Sequence, residues 1–535
     1  MRNNNNAPMA EGPPLDAVEG EPVWPLKQRE INVHPLLRDA GLTAGALVVI
    51  VAISPLIVSL LGRKLGSAAL GEYLLVRRVM TWMNSSAMLG LGIALPRYVA
   101  RVGESSTGKR ANYFIAALLC GGAMAGVIAL ILNSAPAFFA RWLFGGSERA
   151  DLILPLTLLL LATLPQMMVY GYYRGCLAMG KANILQLCNL AVVPLAAVLL
   201  LSRFHSVVMI ISAIGIAMLA CTALFASSIM SQLSSRQIRA RARRDSGVVA
   251  LGSELLRFGV RRVPGDFALN AILVAGPIVA THFAPMSQVT YLLLGMSILS
   301  MAELAVAPFS VILLSKVSQL LVRERTQQVR QGFRYLFVAM VELSVFACLQ
   351  LETCTDVVVR TWLGPAFVGG VWIIRIVLLS IPFDLAWVAS RSFIDAASEK
   401  ALNGRNYVSS LILFLFFAAA VAKFAPPSFF VGGMAAALML TYGTLACLTL
   451  RTAHKLFDVD GLYRECLWPL ILAVALCGLS VMVRWLRGSE MGMKEVLLLE
   501  IVVFALYCAG LTKLDSSWLT FVRSSLIRLP ASGNV

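Results

Sequence analysis

Fourteen apolar segments, each near the twenty residues that carry a helix across about 30 Å of hydrocarbon, dominate this 535-residue chain. They fall at 40–61, 74–95, 112–132, 151–171, 183–201, 206–229, 263–283, 289–314, 335–351, 370–389, 407–424, 428–450, 467–486 and 496–512. Hydrophobic residues make up 59% of the chain and charged ones 14%, with a mean hydropathy of +0.79, which excludes an ordinary water-soluble domain. In lipid each backbone N–H and C=O must find its partner inside the protein. The expected fold class is therefore all-α integral membrane, with about 14 transmembrane helices.

The net charge of +17 would suggest nucleic acid as partner in a soluble protein; here it sets orientation. With the N-terminus inside, 32 of the 45 Lys and Arg fall in the cytoplasmic tails and loops, so the positive-inside rule predicts cytoplasmic N- and C-termini. The richest cluster, Arg236, Arg239, Arg241, Arg243 and Arg244, reads as a topogenic loop facing lipid headgroups.

Landmarks recur at nearly one offset. Leu36-Leu37-Arg38 returns as Leu255-Leu256-Arg257, Tyr73-Leu74-Leu75 as Tyr291-Leu292-Leu293, Trp142-Leu143 as Trp362-Leu363, and Pro165 with Arg174 as Pro382 with Arg391. This predicts two six-helix lobes around a central cavity, related by an axis along the membrane normal. The expected divisions are a disordered cytoplasmic tail (1–38), an N-terminal lobe (39–230), a basic linker (231–256), a C-terminal lobe (257–452), helices thirteen and fourteen (453–512) and a cytoplasmic tail (513–535). The first 38 residues lack the pattern of a cleaved signal peptide.

Chemistry of the enzymatic kind is thinly represented. The ten cysteines form no C-x-x-C pair, Cys348 and Cys354 being the one close couple, and the four histidines are scattered. No metal site or nucleophilic grouping emerges, so neither an enzyme nor a cofactor is expected. Asp458-Val459-Asp460 has the D-x-D form of a sugar-nucleotide site but no soluble domain to complete it. Gly90 with Gly92, and Gly122 with Gly126, read as close helix packing.

Ionisable residues inside spans are costly and usually face a polar interior. Arg77, Thr81, Asn84 and Ser85 share one helical face, as do Gln166, Tyr170, Tyr173 and Arg174. Arg262, Asp266 and Asn270 step by four in helix seven; Ser380, Asp384, Trp387 and Arg391 form a stripe in helix ten. Glu303 stands as a lone acid in helix eight and Arg375 as a lone cation in helix ten. Snorkelling to headgroups also accounts for Arg174, Arg262 and Arg391. Arg77 and Arg78 lie on the outer side, where the orientation rule gives no reason for positive charge.

The stretch LGSAALGEYLLVRRVMTWMNSSAMLGLGIALPRYVAR (65–101), ELLRFGVRRVPGDFAL (254–269) and YRGCLAMGKAN (173–183) resemble segments of polysaccharide-biosynthesis flippases, the Wzx type of the multidrug/oligosaccharidyl-lipid/polysaccharide (MOP) exporter superfamily. The resemblance implies a bacterial inner-membrane protein that moves a polyprenyl-pyrophosphate-linked oligosaccharide to the outer face by alternating access. Membrane lipids, and a polysaccharide polymerase with other assembly proteins, would be its partners. It implies that cavity arginines bind the pyrophosphate, Arg77 first, then Arg262 and Arg375; the polar stripes add Asn84, Tyr170, Arg174, Asn270, Trp387 and Arg391 as substrate-binding candidates, and the acids within the spans, Asp266, Glu303 and Asp384, are the ion-coupling candidates. A peptidoglycan-precursor flippase shares the fourteen-helix layout, a cation-coupled drug antiporter would have twelve helices and an acidic cavity, and a membrane glycan polymerase would carry a large outer loop.

Overall fold

The computed structural model describes residues 33–519 except 103–106, 234–246, 261–262, 323, 399–400, 460, 488–490 and 515. The basic cluster at 236–244, Arg262 and Asp460 lie outside the described residues. The described chain is helical throughout. The first half comprises α1 (Val33–Ala87), α2 (Leu91–Val102), α3 (Thr107–Ser134), α4 (Pro136–Phe144), α5 (Ile153–Gly175), α6 (Met179–Leu187), α7 (Val193–Leu201) and α8 (Val207–Leu233). A connecting helix, α9 (Val248–Val260), leads into α10 (Val263–Thr281), α11 (Met286–Val322), α12 (Thr326–Trp362), α13 (Val371–Leu378), α14 (Ile381–Ala397), α15 (Leu402–Phe424) and α16 (Phe430–Phe457). The chain closes with α17 (Leu462–Arg487) and α18 (Met493–Lys513).

Straight, the 55 residues of α1 would reach about 80 Å, far more than a bilayer requires. The helix is broken at Gly66, with φ 84° and ψ −179°, a region open essentially to glycine alone. There the chain doubles back, since a Cβ on Gly62 would come within 3.3 Å of the Leu70 side chain. Of the 13 helices among the described residues that are long and apolar enough to cross a membrane, this one supplies two crossings, which accounts for the fourteen apolar segments.

Two prolines mark interruptions inside spans. Pro382 lacks an N–H, which frees the Leu378 carbonyl between α13 and α14; the Cys348 thiol of α12 donates to it at 3.3 Å. Ahead of Pro194 the chain forms one turn of π-helix at Cys188–Val192, and Asn189 within it donates to Thr222 of α8 at 3.0 Å. Pro55, Pro165 and Pro277 remain inside continuous helices. Cys348 and Cys354 are both free thiols.

The two halves meet firmly at the end that carries Gly66. Trp362 of α12 donates its indole N–H to the Pro55 carbonyl at 2.8 Å, while its own carbonyl accepts from Ser59 and Arg63. Thr290 of α11 donates to the Ser67 carbonyl at 2.7 Å, and Gly145, at φ 80°, approaches the Thr281 carbonyl so closely that a Cβ would overlap it. At the opposite end α9 lies against α2. Gly90 meets Gly259 there, a Cβ on Gly90 falling 2.4 Å from the Gly259 Cα, and Tyr113 of α3 donates to Glu254 at 2.7 Å. Gly122 and Gly126 differ from expectation: among the described residues nothing lies within 4 Å of where their Cβ atoms would be.

The final pair packs on α12. Tyr507 stacks on Phe346 at 4.1 Å and donates to the Glu342 carbonyl, and the buried Glu342 carboxylate accepts from Ser516 and Trp518 at 2.9 and 2.8 Å. A Gly66→Val substitution forces a β-branched residue into the turn's backbone geometry at a cost of about 1 to 3 kcal/mol. Its detergent-solubilised form should unfold at a lower temperature than the wild type; an unchanged midpoint would place the reversal elsewhere.

Candidate functional site

The reversal at Gly66 sends the second half of α1 down the seam between the two halves of the chain, against α10 and α11. Arg77, Arg78, Thr81 and Trp82 thereby face Asn270 of α10 and Ser297, Ser300 and Met301 of α11 across a cavity of about 300 Å³. Neither arginine is fully covered. Arg77 also lines a smaller niche of about 60 Å³ with Tyr73 and Asn189, lying over the Tyr73 ring at 5.6 Å and donating to its hydroxyl at 3.3 Å. Trp82 packs on Phe267 of α10 at 5.5 Å, an aromatic bridge across the seam.

Near this cavity Glu303, the lone acid of its helix, meets Asp384 of the helix-ten stripe. The carboxyl groups of Glu303 in α11 and Asp384 in α14 lie within hydrogen-bond reach of each other, with Arg78 and Arg391 close by. The buried Tyr442 ring of α16 stands beside them. Asp384 occupies the first turn of α14, where the helix dipole favours negative charge. Ionised carboxylates are acceptors only. The pair can therefore hydrogen-bond when it holds one proton, and two such oxygens also suit a small hard cation.

Arg391 connects this cluster to a second chamber, of about 640 Å³, at the end of the molecule where α9 lies. The chamber is lined by Tyr98, Glu254, Arg257 and Phe258 on one side and by Asp266, Arg391, Asp395, Asn403 and Tyr407 on the other. Arg391 sits over the Trp387 ring at 4.8 Å, and Trp387 meets Tyr407 edge to face at 5.7 Å. Asn403 is fixed by donating to Asp395 at 2.8 Å. Gly265 and Gly404 let α10 and α15 approach, a Cβ on Gly265 falling 2.9 Å from the Gly404 Cα.

The site residues read from sequence thus separate. Arg77 and Asn270 line the central cavity, Glu303 and Asp384 form the acid pair near it, and Trp387, Arg391 and Asp266 belong to the second chamber or its wall. Asn84 sits on the same stretch of α1, its buried Oδ1 without a hydrogen-bond partner among the described residues, and lines neither space. The stripe in α5 is directed otherwise: Tyr173 donates to the Phe225 carbonyl of α8 at 3.2 Å, Gln166 is buried, and the exposed Arg174 stacks on Tyr170 at 5.5 Å. Tyr170 and Arg174 line neither chamber: Tyr173 of the same stripe is tied to α8 within its own half, and Arg174 is exposed.

Arg375 is not a lone cation. It pairs with Glu352 and Asp356 of α12 at 4.0 and 3.5 Å, in a groove shared with α17. The buried face of α13, Val371, Ile374, Val377 and Leu378, leaves Arg375 on the side away from the central cavity. Asp458 is accounted for by an ion pair with Arg330. The cavity also contains Trp82, Ser297 and Ser300, which the polar-stripe reading passed over. Ser297, Ser300 and Glu303 recur every three residues on α11, a signal weakened by its neutral members. No group of three or more His, Cys, Asp or Glu placed to hold a metal occurs among the described residues.

No protein-family model matches the chain, and no curated protein sequence does. Solved structures do. The lipid II flippase MurJ in an inward closed conformation superposes with a TM-score of 0.65 at 12% identity, over 92% of this chain and 100% of that one. An inward-facing multidrug-resistance MATE transporter of the MOP superfamily gives 0.63 at 14% identity, over 79% and 100%. The fold is that of the MOP transporters. A Pyrococcus furiosus transporter of this superfamily, described as having a binding pocket of reversed polarity, shares the fold at a TM-score of 0.52 and 13% identity, over 83% of this chain and 95% of that one.

Removing one member of a buried charged cluster leaves the others uncompensated. Asp384→Asn keeps a donor for Glu303 and should unfold within a few degrees of the wild type, whereas Asp384→Leu should unfold well below it. Equal midpoints for the two variants would mean that the carboxyl groups do not meet.

Proposed function

We propose that this protein is a flippase that carries a polyprenyl-pyrophosphate-linked oligosaccharide across the bacterial inner membrane during polysaccharide biosynthesis, its termini on the cytoplasmic side. The observation behind this reading is the Arg77–Arg78 pair facing a cavity between the two halves of the chain, in membrane-spanning segments. Two adjacent cations in low dielectric have a reason to exist when a diphosphate meets them, because charge-assisted bonds to phosphate are the strong ones. Asn270, Ser297 and Ser300 beside them supply neutral donors and acceptors. The larger chamber offers aromatic faces (Tyr98, Tyr407) with carboxylates and an amide (Asp266, Asp395, Asn403), groups suited to sugar rings and hydroxyls. Arg262 is proposed with them from sequence alone.

The contrast between the two ends supports a reading of alternating access. The Gly66 end is sealed by hydrogen bonds from side chains of one half to backbone carbonyls of the other, while the α9 end holds the 640 Å³ chamber. Substrate admitted at the α9 end would leave through the Gly66 end once that seal opens and the α9 end closes. The Glu303–Asp384 pair is proposed as the ion-coupling element, since gain or loss of one proton or cation alters the charge facing Arg78 and Arg391. A second reading, lipid II as the cargo, is favoured by the superposition on MurJ over 92% of the chain; it uses the same cations, because that substrate too is a polyprenyl-pyrophosphate glycan.

Proteoliposomes containing a fluorescently tagged polyprenyl-pyrophosphate oligosaccharide, read with a membrane-impermeant quencher, test both. The wild type should equilibrate the tag between leaflets, and Arg77→Ala or Arg78→Ala should slow it at least about tenfold, the equivalent of one lost charge-assisted bond. Unaltered rates would remove the pyrophosphate role. Competition by untagged lipid II stronger than by untagged oligosaccharide lipid would transfer the cargo to the second reading. A cysteine pair at Ser67 and Thr290, oxidised, should stop flipping and recover it on reduction; flipping that persists when the cross-link is complete would exclude opening at the Gly66 end.

A further inference from the structure

A third cavity, of about 720 Å³, lies away from the seam, between α12, α13 and α17. Glu352, Asp356 and Arg360 stand on its α12 wall at i, i+4 and i+8, one face of the helix. Arg375 of α13 and Arg484 of α17 complete the charged lining. Glu352 lies ten residues before the end of α12, about 15 Å into the span, a depth at which unsatisfied charge is expensive.

The internal pairing is incomplete. Arg484 holds Asp356 at 2.9 Å and Arg375 reaches Asp356 and Glu352 at 3.5 and 4.0 Å. Arg360 makes no ion pair among the described residues, and Glu352 Oε1 is buried without a donor. The lining therefore presents a spare cation toward the membrane surface and a spare acceptor about two helical turns deeper. Val481 and Trp485 of α17, both exposed, form its lip, an apolar border with a tryptophan of the kind that sits at headgroup level.

We propose that this groove binds the headgroup of a phosphatidylethanolamine-type phospholipid, its phosphodiester on Arg360 and Arg484 and its primary ammonium on Glu352 and Asp356. A purely anionic headgroup would meet two carboxylates, and a quaternary ammonium has no N–H to give Glu352. The apolar lip at Val481 and Trp485 favours a lipid over a free phosphoamine. This site is independent of the substrate cavity, and its test does not involve flipping.

Native mass spectrometry of the full chain, presented with equimolar phosphatidylethanolamine, phosphatidylglycerol and phosphatidylcholine in detergent, reads it directly. Wild type should retain phosphatidylethanolamine at several-fold higher occupancy than the other two. Glu352→Gln should erase that preference. Arg360→Gln, at an exposed position where folding is not at stake, should lower the occupancy of phosphatidylethanolamine severalfold. Equal retention of the three lipids by the wild type, or a preference unchanged in Arg360→Gln, would overturn the proposal. Displacement of the lipid by equimolar water-soluble phosphoethanolamine would overturn the assignment to a lipid.

Discussion

The reversal of the chain at Gly66 places almost everything that follows. Its backbone, at φ 84° and ψ −179°, converts one very long helix into two antiparallel spans, and the second of these becomes the wall on which Arg77 and Arg78 stand. The same turn supplies the carbonyl of Ser67 to Thr290, and the helix leading into it carries the Pro55 carbonyl and the Ser59 and Arg63 side chains that hold Trp362. Together these bonds tie the two halves of the chain to each other at this end.

Polar groups within the spans are handled in three different ways. Some are absorbed locally, as when the Cys348 thiol takes the carbonyl that Pro382 releases, or when Glu342 is used to fasten the 516–518 segment against α12. Others pair across helices, as Arg375, Asp356 and Arg484 do. The central group does neither fully: two arginines face open space, and two carboxyls face each other. A residue of the first kind contributes to stability, and one of the last kind is retained at a cost, which is why the central cavity rather than the larger outer groove carries the proposed transport chemistry.

Much of the architecture could be read from the chain because the bilayer imposes one length and one periodicity. Apolar segments of about twenty residues yielded the spans, and helical spacing put Arg77 with Thr81 and Asp384 with Arg391 on single faces. Spacing could not say which way a face turns. The α5 stripe has the same pattern as that of α1, yet Tyr173 is tied to α8 within its own half. Arg375 looked alone because its partners, Glu352 and Asp356, are some twenty residues distant and on another helix.

By itself the sequence determined an all-helical membrane protein with fourteen crossings, since hydropathy and backbone hydrogen bonding are local properties that each segment carries with it. The tertiary structure decided which charges meet. Glu303 and Asp384 lie 81 positions apart in the sequence and come together only because α11 and α14 pack side by side, and Arg78 reaches them only because Gly66 reverses the chain. Interactions between charges fall off with distance in space, and distance in space between helices is set by packing that no single segment encodes.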